Sequence, residues 1–319
     1  MNQRVLITGG FGYLGGRIAQ EVSRSGRPVR LASRKPQVSP SWLPQAQTCI
    51  LELSHREHLA TALKDIDTVV HLAALNEVDS AAHPQEAYRI NTLATEQLVK
   101  AAIEAKVRRF IYLSTAHVYG VPLTGHIDER TPVNPVHPYA STHLAAEAFV
   151  LQAHRQEQIE GLVFRLSNGF GAPAHPAVDR WTLLVNDLCR QAAEDQRLTL
   201  RSSGIQQRDF ITLQDVGRAV VHGIGLTRAQ IGDGVFNVGG ECSMSVLAVT
   251  QRISQLCGEV LGYTPSLVKP DAGTHEQAGE LVYDCRKFKG TGFELTGNMD
   301  EEIKGTLRLC RQLAQRRSS

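Results

Sequence analysis

The chain has 319 residues, which is long for a single hydrophobic core and suits one large domain with a smaller second part. Hydrophobic residues make up 42% of the sequence and charged residues 21%, as in an ordinary globular protein. The net charge of +2 arises from mixed basic and acidic residues without a long basic run, which argues against nucleic acid or an anionic membrane as a partner.

The sequence carries no pattern for export, membrane insertion or metal binding. The first residues pass straight into a strand pattern without a secretory signal, and no apolar run is long enough to cross a bilayer. The six cysteines form no Cys-x-x-Cys pair, and the twelve histidines form no His-x-x-x-His pattern. We therefore expect a cytoplasmic protein with reduced thiols and no bound metal.

Short apolar runs alternate with helical patterns through the first half of the chain. Strands are predicted at residues 5–7, 29–32, 49–51, 68–72, 110–113 and 162–164. Helices are predicted from Leu14 to the stop at Gly26, and over 58–64, 85–105 and 140–156. This alternation predicts an α/β fold, a doubly wound parallel sheet with helices on both faces.

The second half of the chain is less regular and rich in proline near its start. A strand is predicted at 235–238, with helices over 246–261 and 299–316. We expect residues 1–170 to form a Rossmann-type domain and residues 171–319 to form mainly a smaller substrate-binding part. A segment near 205–238 is expected to return to the first domain.

A glycine-rich turn follows the first predicted strand and opens the first predicted helix, with the sequence Thr8-Gly9-Gly10-Phe11-Gly12-Tyr13-Leu14-Gly15. Gly9 permits a tight turn, Gly12 lets the backbone approach a pyrophosphate, and Gly15 lets the helix pack on the strand. A diphosphate can then bind free amides at the helix N-terminus, where the dipole favours anions. This context favours a dinucleotide site over a glycine-rich turn without a ligand.

The end of the second predicted strand indicates which dinucleotide binds. About 20 residues past such a turn, a site for NAD usually presents an acidic residue to the ribose 2′-hydroxyl. This chain has Ser33, Arg34 and Lys35 there instead. An arginine can hold a 2′-phosphate through paired hydrogen bonds, whereas a carboxylate would repel it. We therefore predict NADP rather than NAD, the alternative being exposed loop charges without a specific function.

Motifs over nearly the whole chain resemble those of the extended short-chain dehydrogenase/reductase family, the NAD-dependent epimerase/dehydratase group. After the glycine turn they are His71-Leu72-Ala73-Ala74, Ser114-Thr115-Ala116-His117-Val118-Tyr119-Gly120, Pro138-Tyr139-Ala140-Ser141-Thr142-His143, Arg165-Leu166-Ser167-Asn168-Gly169-Phe170-Gly171, Gln207-Arg208-Asp209-Phe210-Ile211 and Val235-Phe236-Asn237-Val238-Gly239. The resemblance implies hydride transfer between a nicotinamide and a sugar carbinol or ketone.

The resemblance also implies roles for individual residues. Tyr139 would exchange a proton with the substrate oxygen, and Thr115 would hydrogen-bond and orient that oxygen. The implied cofactor contacts, with Asn91 near the nicotinamide ribose, are Gly9, Gly12, Tyr13, Leu14, Gly15, Ser33, Arg34, Lys35, Glu52, Leu53, Leu72, Ala73, Ala74, Asn91, Tyr139 and His143. The implied substrate contacts, the last two at positions that bind diphosphate in nucleotide-sugar members, are Asn76, Ala116, His117, Asn168 and Arg208.

The chain departs from the family pattern four residues after Tyr139, where His143 replaces a lysine. In the family this lysine hydrogen-bonds the nicotinamide ribose, and its charge lowers the pKa of a tyrosine that titrates at about 10 when free. The spacing places both side chains on one helix face, and histidine is mostly neutral at pH 7. Three interpretations follow: His143 is a weaker or pH-sensitive partner, another cation replaces the lysine, or catalysis is slow or lost.

Two further departures concern the reaction and the substrate. The family's sugar 4,6-dehydratases carry an Asp-Glu pair after the catalytic threonine, whereas Ala116 and His117 follow Thr115, which disfavours dehydration. Nucleotide-sugar members often carry an arginine shortly before the segment that aligns with 281–284, and residues 271–280 contain none. One expected diphosphate contact is therefore absent.

The leading prediction is a nucleotide-sugar epimerase, which oxidises a sugar carbon and returns the hydride to its other face. The alternatives are an NADPH-dependent ketoreductase of a keto-sugar or related ketone, and a catalytically weak or inactive dinucleotide-binding protein. The resemblance also implies a homodimer through the apolar faces of the helices at 85–105 and 140–156, although those faces can equally pack inside one chain.

Overall fold

The structure of the chain is a computed structural model that describes residues 3–273 and 279–318. Its strands are β1 Val5–Thr8, β2 Val29–Ser33, β3 Gln47–Ile50, β4 Thr68–His71, β5 Arg109–Thr115, β6 Gly125–Ile127, β7 Glu160–Leu166, β8 Asn168–Phe170, β9 Arg197–Thr199, β10 Gln207–Thr212, β11 Val235–Val238, β12 Ser243–Ser245, β13 Ser266–Val268 and β14 Leu281–Tyr283. Its α-helices are α1 Tyr13–Arg24, α2 Arg56–Leu63, α3 Glu77–Ala82, α4 Pro84–Ala87, α5 Ala94–Glu104, α6 Pro138–Arg155, α7 Leu184–Asp195, α8 Leu213–Gly225, α9 Arg228–Ile231, α10 Val246–Leu261, α11 Arg286–Lys289 and α12 Met299–Ser318.

The large sheet has seven strands in the order β3-β2-β1-β4-β5-β7-β11, and every neighbouring pair is parallel. The order reverses between β1 and β4, so the connections leaving these two strands run to opposite sides. Such a switch point opens a crevice at the carboxyl ends of the strands, where ligands bind in folds of this type. The predicted doubly wound parallel sheet is confirmed.

Both faces of the large sheet are covered by helices, which explains why β1, β4 and β5 are buried along their whole length. On one face, α1 and α8 pack on the sheet through residues such as Ile18 and Val220. On the other face, α2, α5 and α6 contribute Leu59, Leu98 and Val150 to a second core. The crevice therefore lies between two rigid layers.

A third core belongs to the C-terminal part of the chain. Helices α7, α10 and α12 pack together there around side chains such as Leu188, Ile253 and Leu307. Small sheets of β8, β10 and β12, of β9 with β13, and of β6 with β14 accompany these helices. Two elements from the second half of the chain join the large sheet and its helices: α8 packs against α1, and β11 pairs with β7.

The helix expected over 85–105 is interrupted by a wider, π-helical turn at Tyr88–Leu93, between α4 and α5. The turn carries Asn91, which is buried and whose side-chain oxygen accepts a hydrogen bond from the Leu75 amide at 2.7 Å. The Asn91 amide nitrogen also donates to the hydroxyl of Thr142 in α6 at 3.1 Å. The extra residue of a π-helical turn, a feature frequent near functional sites, thus ties the loop after β4 to α6.

The described helices include none that is both long and apolar enough to cross a membrane. The six cysteines are all unpaired thiols. Within the described ranges, no group of three or more His, Cys, Asp or Glu side chains is arranged to hold a metal ion.

A buried arginine joins the sheet to helix α8. The Arg109 side chain is only 1% exposed and pairs with Glu160 at 2.6 Å. Its guanidinium also donates to the carbonyl oxygens of Gly223, Ile224 and Leu226, the last at 2.5 Å. These carbonyls lie at the C-terminal end of α8, where a helix leaves its last carbonyls without partners. Arg109 therefore holds α8 in place on the sheet.

Replacing Arg109 with methionine tests this anchoring. We expect Arg109→Met to lower the free energy of unfolding by about 3–5 kcal/mol, because it leaves the buried helix-end carbonyls without their donor and removes the buried partner of Glu160. The control is Arg108→Met, which removes a neighbouring arginine that is 41% exposed and pairs with the same glutamate. Its cost is expected to be about 0–1 kcal/mol. If urea denaturation shows equal losses of unfolding free energy in the two variants, Arg109 does not anchor α8 as we infer.

Candidate active site

Two neighbouring cavities open at the carboxyl ends of the central strands. The β2 cavity, of about 510 Å³, lies by the ends of β2 and β3, and the β5 cavity, of about 640 Å³, lies by the end of β5. Gly9, Gly12, Ala73 and Ala74 line both, so the cavities form one cleft divided by the glycine turn. The cleft lies at the switch point between β1 and β4, as ligand sites do in such folds.

The glycine turn has the shape that close approach requires. Gly9 adopts a φ of +66°, which L side chains rarely tolerate, and a Cβ at Gly15 would overlap the carbonyl oxygen of Gly9. Gly12 precedes α1 and provides no side chain to cap its free amides, and the first turn of α1 carries no acidic residue. These observations fit a diphosphate, which the free amides and the helix dipole would bind.

A chain of hydrogen bonds fixes the end of β4 beside this turn. The Thr8 hydroxyl accepts from the Ala73 amide at 3.2 Å and lies 2.6 Å from His71 Nδ1. His71 Nε2 lies 2.9 Å from the hydroxyl of Thr95, which itself donates to the carbonyl of Asn91. The Thr95 oxygen must therefore accept from His71 Nε2–H, and the Thr8 hydroxyl donates to Nδ1. Burial lowers the pKa of His71 to about 3, so the ring is neutral.

Besides the residues that it shares with the β5 cavity, the β2 cavity is lined by the expected cofactor residues Ser33, Arg34, Glu52 and Leu53. It is also lined by Arg89, which the sequence did not single out. Lys35 is exposed and is not among the residues that line either cavity. Two arginines and one glutamate thus border the cavity beside β2.

The β5 cavity brings together the three expected catalytic residues, Thr115, Tyr139 and His143. Thr115 ends β5 and is buried, and its hydroxyl accepts from the His117 amide at 3.2 Å. Tyr139 lies in the first turn of α6, where its amide donates to Nδ1 of the capping residue His137 at 3.1 Å. The Tyr139 and His143 ring centres are 4.3 Å apart, so the two rings share one helix face as expected.

His143 is a buried, neutral histidine. His143 is 3% exposed, and its Nδ1 lies 2.7 Å from the hydroxyl oxygen of Tyr112. Nε2 is also buried, without a hydrogen-bond partner among the residues that the structure describes. Burial lowers the pKa of His143 to about 4, against a partly opposing effect of Glu77. At neutral pH His143 is therefore expected to be uncharged, and whether it replaces the family's lysine in catalysis remains a prediction.

The electrostatic surroundings of Tyr139 are set by residues that the sequence did not reveal. Burial raises the pKa of Tyr139 above its ordinary value, the negative charge of Glu77 raises it further, and the positive charge of Arg180 opposes both. Arg180 lines the same cavity and pairs with Glu77 at 3.3 Å across 103 residues of sequence. Arg180 is thus a cation that lines the same cavity as Tyr139 and lies in a different segment of the chain.

The expected substrate residues all line the β5 cavity, but they differ in whether their side chains have hydrogen-bond partners. The Asn76 side chain caps α3 by accepting from the Asp79 amide at 2.9 Å, and Asn168 donates to the Asp209 carbonyl at 2.9 Å. Arg208 differs, because its side chain is half-buried and makes neither a hydrogen bond nor an ion pair with residues 3–273 or 279–318. A half-buried guanidinium without a partner favours an anionic ligand.

Three other predictions from the sequence concern Asn91, the pair Tyr13 and Leu14, and residues 271–280. Asn91 does not line either cavity, because its side chain is used to hold Leu75 and Thr142. Tyr13 and Leu14 line the β5 cavity, and the Tyr13 hydroxyl donates to the Gly171 carbonyl at 2.9 Å. The arginine-free stretch 271–280 includes residues 274–278, which lie outside the described residues.

Comparisons with known proteins agree with this architecture. Residues 5–239 match the NAD dependent epimerase/dehydratase family. The dTDP-D-glucose 4,6-dehydratase of Mus musculus is 30% identical over 264 residues, 81% of this chain and 72% of the relative. The UDP-glucose 4-epimerase of Azospirillum brasilense is 27% identical, and the alignment covers 86% of each chain.

Solved structures show the same fold. MoeE5 in complex with UDP-glucose and NAD is 28% identical, with a TM-score of 0.76 over 97% of this chain and 99% of that one. The UDP-glucuronic acid 4-epimerase of Bacillus cereus, in complex with UDP-glucuronic acid and NAD, has a TM-score of 0.81 over the same shares at 24% identity. The chain belongs to the NAD-dependent epimerase/dehydratase family, and thus to the extended short-chain dehydrogenase/reductases.

The buried neutral histidines predict how stability depends on pH. Burial lowers the pKa of His143 from 6.5 to about 4, so between these values the unfolded chain binds a proton that the native chain does not. The native state therefore loses stability as the pH falls through this window, by about 1.4 kcal/mol per pH unit for each such histidine. Urea denaturation at several pH values between 7 and 4.5 measures this slope.

Two variants test whether His143 causes this pH dependence. His143→Gln should reduce the slope of unfolding free energy against pH, whatever its effect on stability at pH 7. His55→Gln, at an exposed position in front of α2, should leave the slope as it is in the parent chain. An unchanged slope in His143→Gln would mean that this residue does not titrate as its burial implies.

Proposed function

We propose that the chain is an epimerase of a nucleotide-linked sugar. The observation that carries this proposal is the convergence of Thr115, Tyr139 and His143 in one cavity, directly beside a turn shaped for a diphosphate. Arg208 lines the same cavity, and its side chain has no partner among the described residues. The diphosphate of a sugar nucleotide, in addition to that of the dinucleotide, would be an anionic partner for this guanidinium.

The residues of the cavity suit oxidation and re-reduction of one carbon. When bound, the dinucleotide supplies a nicotinamide ring that takes up a hydride and gives it back. As a phenolate, Tyr139 accepts the proton of the sugar hydroxyl while the carbon is oxidised, and it donates the proton back when the carbonyl is reduced. Thr115 hydrogen-bonds the same oxygen and orients it. Hydride and proton both return to the sugar, so the cofactor is not consumed.

Dehydration is disfavoured although a relative in this family carries the name of a dehydratase. Eliminating water across adjacent carbons requires an acid and a base placed at those carbons, and Ala116 and His117 follow Thr115 instead of two carboxylic acids. Glu77 does line the β5 cavity, but its carboxylate is held in the ion pair with Arg180. Epimerisation needs no such group.

A ketoreductase that uses NADPH is the second candidate, because of the cations in the β2 cavity. Arg34 and Arg89 both line this cavity, and a 2′-phosphate would find two guanidinium groups there. Glu52 lines it as well and would oppose an added negative charge. The family is NAD-dependent, and the preference for NADP remains a prediction.

Three broader expectations accompany the proposal. Residues 1–170 would hold mainly the dinucleotide, and the remainder mainly the sugar nucleotide. The chain would work in the cytoplasm. It would form a homodimer through the outward faces of α5 and α6, where Ala148 is exposed and Phe149 is partly exposed. Light scattering on the purified chain measures the last of these directly.

Label retention tests the proposed reaction. The purified chain is incubated with NAD and with UDP-glucose deuterated at C4, and the products are followed by NMR. We expect a C4 epimer that keeps the deuterium, without net reduction of NAD, because the hydride returns to the same carbon. Tyr139→Phe should slow this conversion by about 10²–10⁴-fold while dinucleotide binding persists.

Other outcomes separate the alternatives. Tyr263→Phe is the matched control, since it removes a tyrosine hydroxyl bonded to the Ala192 carbonyl in the C-terminal part. It should leave the conversion unchanged. Steady consumption of NADPH with a keto-sugar would replace the epimerase by a reductase. Dinucleotide binding without conversion of UDP-glucose, UDP-glucuronic acid or dTDP-glucose would favour the inactive binding protein.

The cofactor preference is tested at Arg34. If its guanidinium binds the 2′-phosphate, Arg34→Ala should raise the dissociation constant for NADP by about 10- to 100-fold and change that for NAD little. Lys35→Ala is the control at an exposed neighbour outside both cavities, and it should leave both constants unchanged. Tighter binding of NAD than of NADP to the parent chain would show that the prediction of NADP is wrong.

A further inference from the structure

His143 has a partner that belongs to a different element of the fold. Tyr112 lies in the middle of β5, and its hydroxyl oxygen is 2.7 Å from Nδ1 of His143 in α6. Both residues are nearly inaccessible, with exposures of 2% for Tyr112 and 3% for His143. Their rings are stacked, with centres 5.6 Å apart. The contact therefore has a single, well-defined geometry.

The position of the donor that is left unpaired indicates the direction of this hydrogen bond. A neutral histidine carries one ring proton, and a tyrosine carries one hydroxyl proton. If the Tyr112 hydroxyl donates to Nδ1, the ring proton is on Nε2, and Nε2–H is the single donor left unpaired. In the reverse arrangement, the unpaired donor is the hydroxyl proton of Tyr112. Tyr112 lines neither cavity, whereas His143 lines the β5 cavity, where a ligand can accept from Nε2–H. Buried donors without partners are costly, so the first arrangement is favoured.

No other described neighbour takes the hydroxyl proton of Tyr112. One neighbouring ring is that of His71, whose centre lies 5.7 Å from that of Tyr112. Both nitrogens of His71 are already engaged, Nδ1 with the hydroxyl of Thr8 and Nε2 with the hydroxyl of Thr95. His143 Nδ1 is the hydrogen-bond partner that the Tyr112 hydroxyl has within the described chain.

We propose that Tyr112 is a positioning residue, which holds His143 as the Nε2–H tautomer with this donor in the wall of the β5 cavity. His143 then offers a neutral N–H where the family offers an ammonium group, and the acceptor would be a hydroxyl oxygen of the nicotinamide ribose. The identity of this acceptor rests on the proposed function, whereas the tautomer is a property of the chain alone. Of the two ring nitrogens of His143, Nε2 is buried and has no partner among the described residues, as such a role requires.

The tautomer can be read directly in the chain without ligand. In a sample with ¹⁵N-labelled histidine, a protonated and an unprotonated ring nitrogen have clearly different chemical shifts, and loss of signals in His143→Ala assigns the residue. At pH 7 we expect Nε2 to be protonated and Nδ1 to have the shift of an acceptor. In Tyr112→Phe, we expect a mixture of both tautomers. A protonated Nδ1 in the parent chain would overturn the proposal.

Binding of NAD tests the consequence for the ligand. Tyr112→Phe should raise the dissociation constant of NAD about two- to tenfold, the equivalent of one net hydrogen bond. In a His143→Ala background, Tyr112→Phe should add nothing, because the tyrosine acts only through the histidine. An equal rise in both backgrounds would mean that Tyr112 acts by packing, and it would overturn the proposal. Tyr263→Phe, remote from the cleft, should bind NAD like the parent chain.

These measurements do not depend on turnover. Loss of the expected sugar conversion, with the tautomer and binding results as expected, would refute the epimerase and leave the role of Tyr112 standing. Sugar conversion in a chain whose His143 shifts are unaffected by Tyr112→Phe would refute the role of Tyr112 alone. Thermal unfolding of each variant shows whether it is folded at the temperature used.

Discussion

The structure of the cleft depends on how closely helix α1 approaches the end of strand β1. A side chain at Gly15 would overlap the Gly9 carbonyl, and Gly9 itself has a backbone conformation that other residues rarely adopt. Because contact is this close, the amides at the start of α1 lie directly at the switch point of the sheet, where a diphosphate can reach them. The same approach divides the cleft into its β2 and β5 cavities, so one steric requirement positions both the dinucleotide and the reacting carbon.

The same helix also connects the two parts of the chain. Arg17 in α1 pairs with Glu302 in α12 at 2.6 Å, and both side chains are largely shielded from water. One turn earlier, the Tyr13 hydroxyl donates to the carbonyl of Gly171, directly after β8. A shift of α1 would therefore move the turn, the second part and the cavity between them together. This coupling explains why an arginine such as Arg208, which is distant in sequence, can face the same cavity as the glycine turn.

Sequence patterns predicted those features whose cause is local. Central strands such as β1 and β5 contain short continuous apolar runs, and the glycine turn is set by a few adjacent residues. Helix α8 was not predicted, since residues such as Gly223 weaken a helix pattern, although there glycine lets the helix lie against a phenylalanine of β7. The partners of the catalytic residues were not predicted either. The contact of Tyr112 with His143 and that of Glu77 with Arg180 join different elements, and no periodicity within one segment reports such a contact.

Replacing a lysine by a buried histidine separates two tasks that one side chain usually performs. A neutral N–H can still orient a ribose hydroxyl, and it does not require a charge to be buried, which this site opposes by lowering the pKa of His143 to about 4. It cannot lower the pKa of Tyr139, which burial and Glu77 raise. We propose that the positive charge comes from elsewhere. Arg180 already lines the cavity and opposes the rise in the pKa of Tyr139, and an oxidised nicotinamide ring would add a positive charge when the dinucleotide is bound. The strength of the acid/base would then depend on groups outside its own helix.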